Sequence, residues 1–210
     1  MRFSRGLAIE DIFPPLENEL RPYRDLFSGR VLNAGAGSRD IGDLIDGELF
    51  NQDIKAAPHI HYAAPLHEIP VEDGYFDAII CNAVLEHVEN PEEVLAEFSR
   101  VCKPGGVLYL CVPFMQPEHL DPTDYQRYTI DGLRREVERH GFKVSDSGGV
   151  HSVYVTLAWI AREWLGPRRD LGARALKLLL FPALRYKCRT SSEHVHSIAS
   201  AYRVVANRSS

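Results

Sequence analysis

Between Pro113 and Thr129 the chain gathers His119, Asp121, Asp124, Tyr125, Arg127 and Tyr128 into ten residues, more ionisable and aromatic groups than a plain connection requires. Arg127 can hold an anion through two parallel N–H···O bonds, or it can simply pair with Asp124. His119 or Asp124 can take a proton, and the tyrosine rings can line a reaction path, stack on a bound ring or plug the end of a sheet. As metal ligands, His119, Asp121 and Asp124 match no ligand spacing well, and no metal is expected. Glu86 and His87 form a second polar pair: a proton-handling couple, or a capping acid beside a histidine that only positions its neighbours.

A third constellation lies upstream. Val31-Leu32-Asn33-Ala34 reads as a buried strand that breaks at Gly35-Ala36-Gly37, where the backbone passes close to something and glycine tolerates positive φ. A G-x-G alone is a common turn. Its meaning depends on its company in the chain, and the next strand-like stretch, Glu48 to Asp53, ends in an acid.

The elements that position these groups alternate. Residues 7–29 read as a helical lead-in, with Leu16, Leu20, Tyr23, Leu26 and Phe27 at helical spacing and Gly29 closing it. Ile60 to Ala63 reads as a short strand reached by a crossover too brief for a full helix. Phe76 to Cys81 is the near-continuous apolar run of a doubly covered parallel strand. Asn90-Pro91-Glu92-Glu93 predicts a capped helix start, Val94, Leu95, Phe98 and Val101 its buried face, and Lys103-Pro104-Gly105-Gly106 its end. Further strands are expected at Val107 to Val112, at Phe142 to Ser145 after a helix from Thr129 to His140, and at Ile198 to Val205. This alternation predicts an open α/β sheet with one crevice at its strand ends.

Composition bounds the function. The 210 residues carry a net charge of −5, yet residues 162–189 hold eight Arg or Lys against two acids, a local +6 that leaves −11 on the rest. So acidic a body is a poor nucleic-acid binder, and none is expected as partner. Cys81, Cys102, Cys111 and Cys188 lack metal or redox spacing and read as free thiols. Without a signal-like or membrane-spanning run, a cytoplasmic location is expected. Residues 151–196 hold two helix-like stretches, apolar on one side and basic on the other, which read either as a lid on the domain or as a peripheral contact with a membrane surface or an acidic partner. His194 and His196 read as surface residues.

In their order, the glycine turn, Asp53, the block IPVEDGYFDAIICNAVLEHVENPEEVLAEFSRVCKPGGVLYLCVPF at 69–114 and the H-x-D-x-x-D-Y-x-R-Y-T loop resemble a class I S-adenosylmethionine-dependent methyltransferase of the type-11 group. The resemblance covers residues 28–145 and the final strand. It implies one methyltransferase domain over residues 1–210, with a cofactor core at 28–145, a helical insertion at 151–196 and a last strand at 197–206. The implied architecture is a Rossmann-like α/β fold: a seven-stranded mixed sheet of order 3-2-1-4-5-7-6 with helices on both faces.

The resemblance also assigns residues. Asn33, Ala34, Gly35, Ala36 and Gly37 would form the cofactor turn, Asp53 would accept the ribose hydroxyls, and Ile54 would pack on the adenine. Pro65 and Leu66 would lie by the adenine amino group, and Asn82 and Ala83 would flank the methionine part. Asn33 and Pro65 stand where the family often has acids, which predicts weaker cofactor binding. Acceptors would sit over the fourth and fifth strands, making His87, His119, Asp124, Tyr125, Arg127 and Tyr128 the catalytic candidates. The expected reaction is in-line transfer of a methyl group from the sulfonium to a small-molecule, lipid-linked or glycan acceptor. A cofactor-binding partner subunit without catalysis is the alternative. A nicotinamide enzyme is disfavoured because G-A-G-S-R-D lacks the third glycine. Oligomeric state is left open.

Overall fold

The computed structural model describes residues 7–120 and 122–210, and Asp121 lies outside the described residues. Seven strands form one sheet: β1 (Ser28–Ala34), β2 (Asp46–Asp53), β3 (Tyr62–Ala63), β4 (Phe76–Asn82), β5 (Cys102–Pro113), β6 (Phe142–Val150) and β7 (Ala201–Arg208). Their order is β3-β2-β1-β4-β5-β7-β6, as expected. β1 to β5 are parallel, and β7 runs antiparallel between β5 and β6.

The apolar run of β4 is buried on both faces because helices and turns cover both. On one side α3 (Pro91–Val101) and α4 (Ile130–Arg139) pack Val94, Leu95, Phe98, Leu133 and Val137 onto Leu32, Ile79, Leu108 and Val204. Each such side chain contributes about 1.5–3 kcal/mol by leaving water. On the other side no helix follows β1; a 3-10 turn at Gly42–Leu44 makes that connection. The exposed face is covered instead from upstream, where Leu20 and Phe27, with Leu16 and Tyr23 against them, pack on Val31, Ala78, Ile80 and Tyr109.

That upstream segment is not the single helix its spacing predicts. It is α1 (Ile9–Ile12), α2 (Leu16–Leu20) and a 3-10 stretch, Arg21–Leu26, broken by Pro14-Pro15 and Pro22, none of which can donate to a helical ladder. Gly29, expected to close it, lies inside β1 at φ +73, where an added Cβ would meet the Asp77 carboxylate at 2.5 Å.

Two further boundaries differ from expectation. Lys103-Pro104-Gly105-Gly106 does not separate helix from strand: β5 starts at Cys102 directly after α3, paired with Phe76, and a bulge between Phe76 and Ala78 absorbs the surplus residues. Asn90 precedes α3 without making a side-chain cap, whereas Thr129 and Asp170 do cap the helices they open, through Gly132 N and Ala173 N. β6 runs on to Val150, because Asp146 to Val150 continue the pairing with β7 after a register shift. β7 begins at Ala201, since His196–Ile198 forms a 3-10 turn; His194 and His196 are exposed.

Between β6 and β7 stand α5 (Val153–Leu165) and α6 (Leu171–Thr190). With α1 they form their own apolar cluster around Val155, Ala158, Trp159, Phe181 and Leu184.

The helix-free connection from β3 to β4 is held by one buried acid. Glu97 Oε1 accepts the Ile69 backbone N–H at 2.7 Å, and Arg100 joins both Glu97 oxygens to the Ile69 and Val71 carbonyls and to Asp73. Replacing Glu97 by Ala leaves a buried N–H and a cation without their acceptor. The expected loss is about 2 kcal/mol or more in denaturant unfolding, and an unchanged midpoint would refute the assignment.

Candidate functional site

The parallel strands β1, β2, β4 and β5 end along one edge, and nearly every candidate residue lies there. At the end of β1, Gly35 (φ +65) presses against Val84, whose side chain a Cβ would meet at 2.5 Å. Gly37 (φ +55) faces open space: nothing lies within 4 Å of where its Cβ would be. Ala34 and Ala36 are buried, and Ala36 N donates to Gln52 O.

Asp53, at the end of β2, accepts the Gly37 N–H at 2.9 Å through one oxygen and the Lys55 N–H at 2.9 Å through the other. A carboxylate has about four lone-pair sites, so two further donors can be accommodated. Ile54 beside it is 72 % exposed, a large apolar side chain left uncovered at the position expected to meet an adenine. Across the gap Leu66 is buried in the core and Pro65 partly covered. These features fit a nucleoside-bearing cofactor: open backbone at Gly37, an acceptor for hydroxyl donors, and an uncovered apolar surface. Asn33 does not join them, for its buried amide donates to Asn51 Oδ1 at 3.0 Å.

Three residues at this edge carried no recognisable mark in the sequence. Arg39 bridges the turn and β4, donating to Gly35 O, Asn82 O and Asn82 Oδ1 at 2.9, 2.9 and 3.2 Å. Glu19, from α2, accepts from Asn82 Nδ2 and Tyr109 OH, both at 2.7 Å, and faces His151 Nε2 at 3.4 Å. Burial opposes its ionisation, but the adjacent His151 and the Tyr109 hydroxyl outweigh this and hold its pKa below the usual value. His59 Nε2 lies 2.7 Å from Gly37 O.

The second half of the site stands over the ends of β4 and β5. Ala83 leaves β4 at φ +52, a left-handed backbone that costs a non-glycine residue about 1–2 kcal/mol, and its N–H is tied to Cys111 O. That turn sends Leu85–His87 into a 3-10 turn pointing inward. The 114–129 loop folds over it, with Tyr125 N donating to Glu86 O at 2.8 Å. Glu86 is thereby 1 % exposed, and neither carboxylate oxygen has a hydrogen-bond partner. His87 Nε2 and His119 Nε2 flank the same Oε1 at 3.6 and 3.5 Å, their rings edge to face.

Within the loop the pairing alternative for Arg127 is the one found: it grips both oxygens of buried Asp124, which also accepts His119 N. Burial opposes ionisation of Asp124, but Arg127 prevails and keeps its pKa below the usual range, so Asp124 is a poor proton acceptor at neutral pH. His119 moves up, chiefly because the Glu86 carboxylate stands beside it. Tyr128 packs against the core, and burial pushes its hydroxyl up to about 12. Tyr125 is half exposed. His119 also stacks near Trp159 of α5, which brings the inserted helices to this edge.

Comparison with known proteins agrees with the geometry. Residues 45–110 match the family model described as a methyltransferase domain. A ubiquinone biosynthesis O-methyltransferase from Xanthomonas oryzae pv. oryzae is 32 % identical over 108 residues, covering 41 % of this chain and 44 % of that protein. The chain spans less than half the length of the first curated relatives it matches.

Among solved structures, the Burkholderia thailandensis 1,6-didemethyltoxoflavin-N1-methyltransferase, with S-adenosylhomocysteine bound, has a TM-score of 0.61 at 16 % identity, covering 97 % of this chain and 80 % of that one. The [4+2]-cyclase SpnF has the same TM-score and identity, with 92 % and 80 % covered. A likeness of this kind establishes the fold and leaves the chemistry to the site. Residues 45–110 thus match a methyltransferase-domain family, and the chain as a whole shares the fold of solved S-adenosylmethionine-dependent methyltransferases.

Proposed function

We propose that this protein transfers a methyl group from S-adenosylmethionine to a small or lipid-linked acceptor bound over the ends of β4 and β5. The observation that carries the reading is the division of one sheet edge into two halves. Around Gly37 and Asp53 lie open backbone, hydroxyl acceptors and an uncovered Ile54; around Glu86 lie two histidines and a roofing loop.

The sulfonium cofactor supplies an activated methyl group. This chain's residues align the acceptor and exclude water. Asp53 and the Gly37 turn hold the nucleoside end, Asn82 and Ala83 border the reacting end, and Arg39 provides a cation for a carboxylate there. Arg127 and Asp124 brace the loop rather than touch the acceptor, because each is spent on the other. His119, with Glu86 beside it, is the group placed to take a proton from a hydroxyl or thiol acceptor. A second reading, a cofactor-binding subunit without catalysis, draws support from Asn33, whose amide is used up on Asn51 beneath the turn.

A lipid-linked acceptor is favoured by the outer face of the inserted helices. Their inner faces are satisfied, yet Leu178 and Leu179 are 76 % exposed and Trp164 55 %, beside Arg168, Arg169, Arg174 and Lys177. No helix among the described residues is long and apolar enough to cross a membrane. An apolar face with a basic rim suits the headgroup boundary of an anionic bilayer.

Three measurements test the reading. Titration with S-adenosylhomocysteine, followed by calorimetry, should show binding that Asp53→Ala weakens by about tenfold or more, the worth of one or two charge-assisted hydrogen bonds; an unaltered affinity in a folded variant removes Asp53 from the site. Labelled methyl transfer into lipid and small-molecule fractions of a cell extract then separates the enzyme from the silent subunit. In vesicle flotation, the protein should rise with phosphatidylglycerol vesicles at low salt and not in about 0.5 M salt, where the Debye length is only a few ångströms. Leu178→Asp with Leu179→Asp should abolish that binding; equal flotation of the variant would end the membrane reading.

A further inference from the structure

We propose that Glu86, His87 and His119 form a binding site for one divalent transition-metal cation of the zinc class. One ligand atom from each lies within 4.8 Å of the others. The independent mark of a ligand is Glu86 itself: 1 % exposed, one oxygen flanked by the two ring nitrogens, with neither oxygen making a hydrogen bond. A buried carboxylate left so is costly, and a cation is the partner that two imidazole nitrogens can share with it.

The distances suit such an ion. Bonds of about 2.0–2.2 Å in tetrahedral geometry set ligand atoms about 3.4 Å apart, and the two His–Glu separations are 3.6 and 3.5 Å.

The outer nitrogens are arranged for the same purpose. His87 Nδ1 lies 2.6 Å from the Thr123 carbonyl, which can only accept; Nδ1 therefore carries the proton and Nε2 the lone pair. His119 Nδ1 has the Pro117 carbonyl and the Arg127 guanidinium each at 3.4 Å and Asp124 Oδ2 at 3.6 Å, and its Nε2 is the atom turned to Glu86. Carbonyl or carboxylate partners on the second nitrogen are the usual support of metal-binding histidines. Two histidines and one carboxylate suit zinc, cobalt or iron(II) rather than magnesium or calcium, which prefer all-oxygen shells.

Three protein ligands leave a coordination position open, and the cluster stands at the edge where β4 and β5 end. The use of the ion rests on the methyl-transfer reading. With the ion bound, His119 Nε2 serves as a ligand and not as the proton acceptor; a hydroxyl or thiol acceptor in the open position would instead lose its proton to solvent more readily, and its lone pair would form the bond to the methyl carbon as the carbon–sulfur bond breaks and the pair passes to sulfur. The binding of the ion does not depend on that reading.

The test uses the full chain dialysed against chelator, then titrated with Zn2+ by calorimetry and mass spectrometry and with Co2+ by visible absorption. One equivalent should bind, with the intense d–d bands of a four- or five-coordinate nitrogen-ligated cobalt. Glu86→Gln, His87→Gln and His119→Gln should each weaken binding by more than about 100-fold, while Asp124→Asn, at a residue that faces the outer nitrogen of His119, accepts its backbone N–H and pairs with Arg127, should cost about 10–100-fold. Absence of stoichiometric binding to folded wild-type protein overturns the site, as does binding undiminished in the three ligand variants. Should those variants unfold, the wild-type cobalt spectrum decides: weak octahedral bands, or none, reject the site. S-adenosylhomocysteine is titrated into the same samples, so that metal binding without cofactor binding refutes the methyl-transfer reading alone, and cofactor binding without metal refutes the site alone.

Discussion

The constraint on which everything else rests is the common level at which the parallel strands stop. Pairing of Ala34 with Cys81, Ala34 with Gln52 and Asn82 with Cys111 leaves the glycine turn, Asp53, Ala83 and Pro113 side by side. A one-residue slip of any strand would invert its faces and move its terminal group off this edge. The apolar burial of Ile79, Ile80, Leu108 and Leu110, all almost wholly covered, is what prevents the slip. Packing in the middle of the sheet therefore sets the geometry at its end.

The chain compensates for short connections with long-range polar contacts. Lacking a helix after β1, it covers that face with residues from α2 and the 3-10 stretch after it, and Glu19 fastens α2 to Asn82 and Tyr109 on two different strands. Lacking one before β4, it holds that loop with Glu97 and Arg100. The same principle closes the roof of the site, where Arg127 and Asp124 brace the loop and Tyr125 N reaches back to Glu86 O. Each substitutes directed hydrogen bonds for the broad apolar contact a helix would have made. Charge-assisted bonds in part-buried settings are strong enough for this, typically about 1.5–3 kcal/mol each.

Much of the fold was legible because apolar periodicity is a local property. β4, the buried face of α3 and the helix from Ile130 follow from it directly. The sheet order came with the family resemblance, since spacing alone does not say which strands pair. Where local reading went astray, a local rule met a distant partner. Lys103-Pro104-Gly105-Gly106 has the chemistry of a terminator, yet β4 pairs on either side of it, with Cys102 and with Val107, and Asn90 has the chemistry of a cap that its side chain does not make.

By itself, then, the sequence determined the glycine turn with an acid ending the next strand, the alternation of strands and helices, and the concentration of polar groups between Pro113 and Thr129. Only the tertiary structure decided what those groups do. It spent Arg127 on Asp124, turned Asn33 away to Asn51, and brought Arg39, Glu19 and His59 to an edge their neighbours in the chain do not suggest. Above all it buried Glu86 between two histidines that are 32 residues apart in the chain. The physical reason is the same each time: a charged or polar side chain reads as solvated until the fold removes its water, and which partner replaces that water is a property of distant segments brought together.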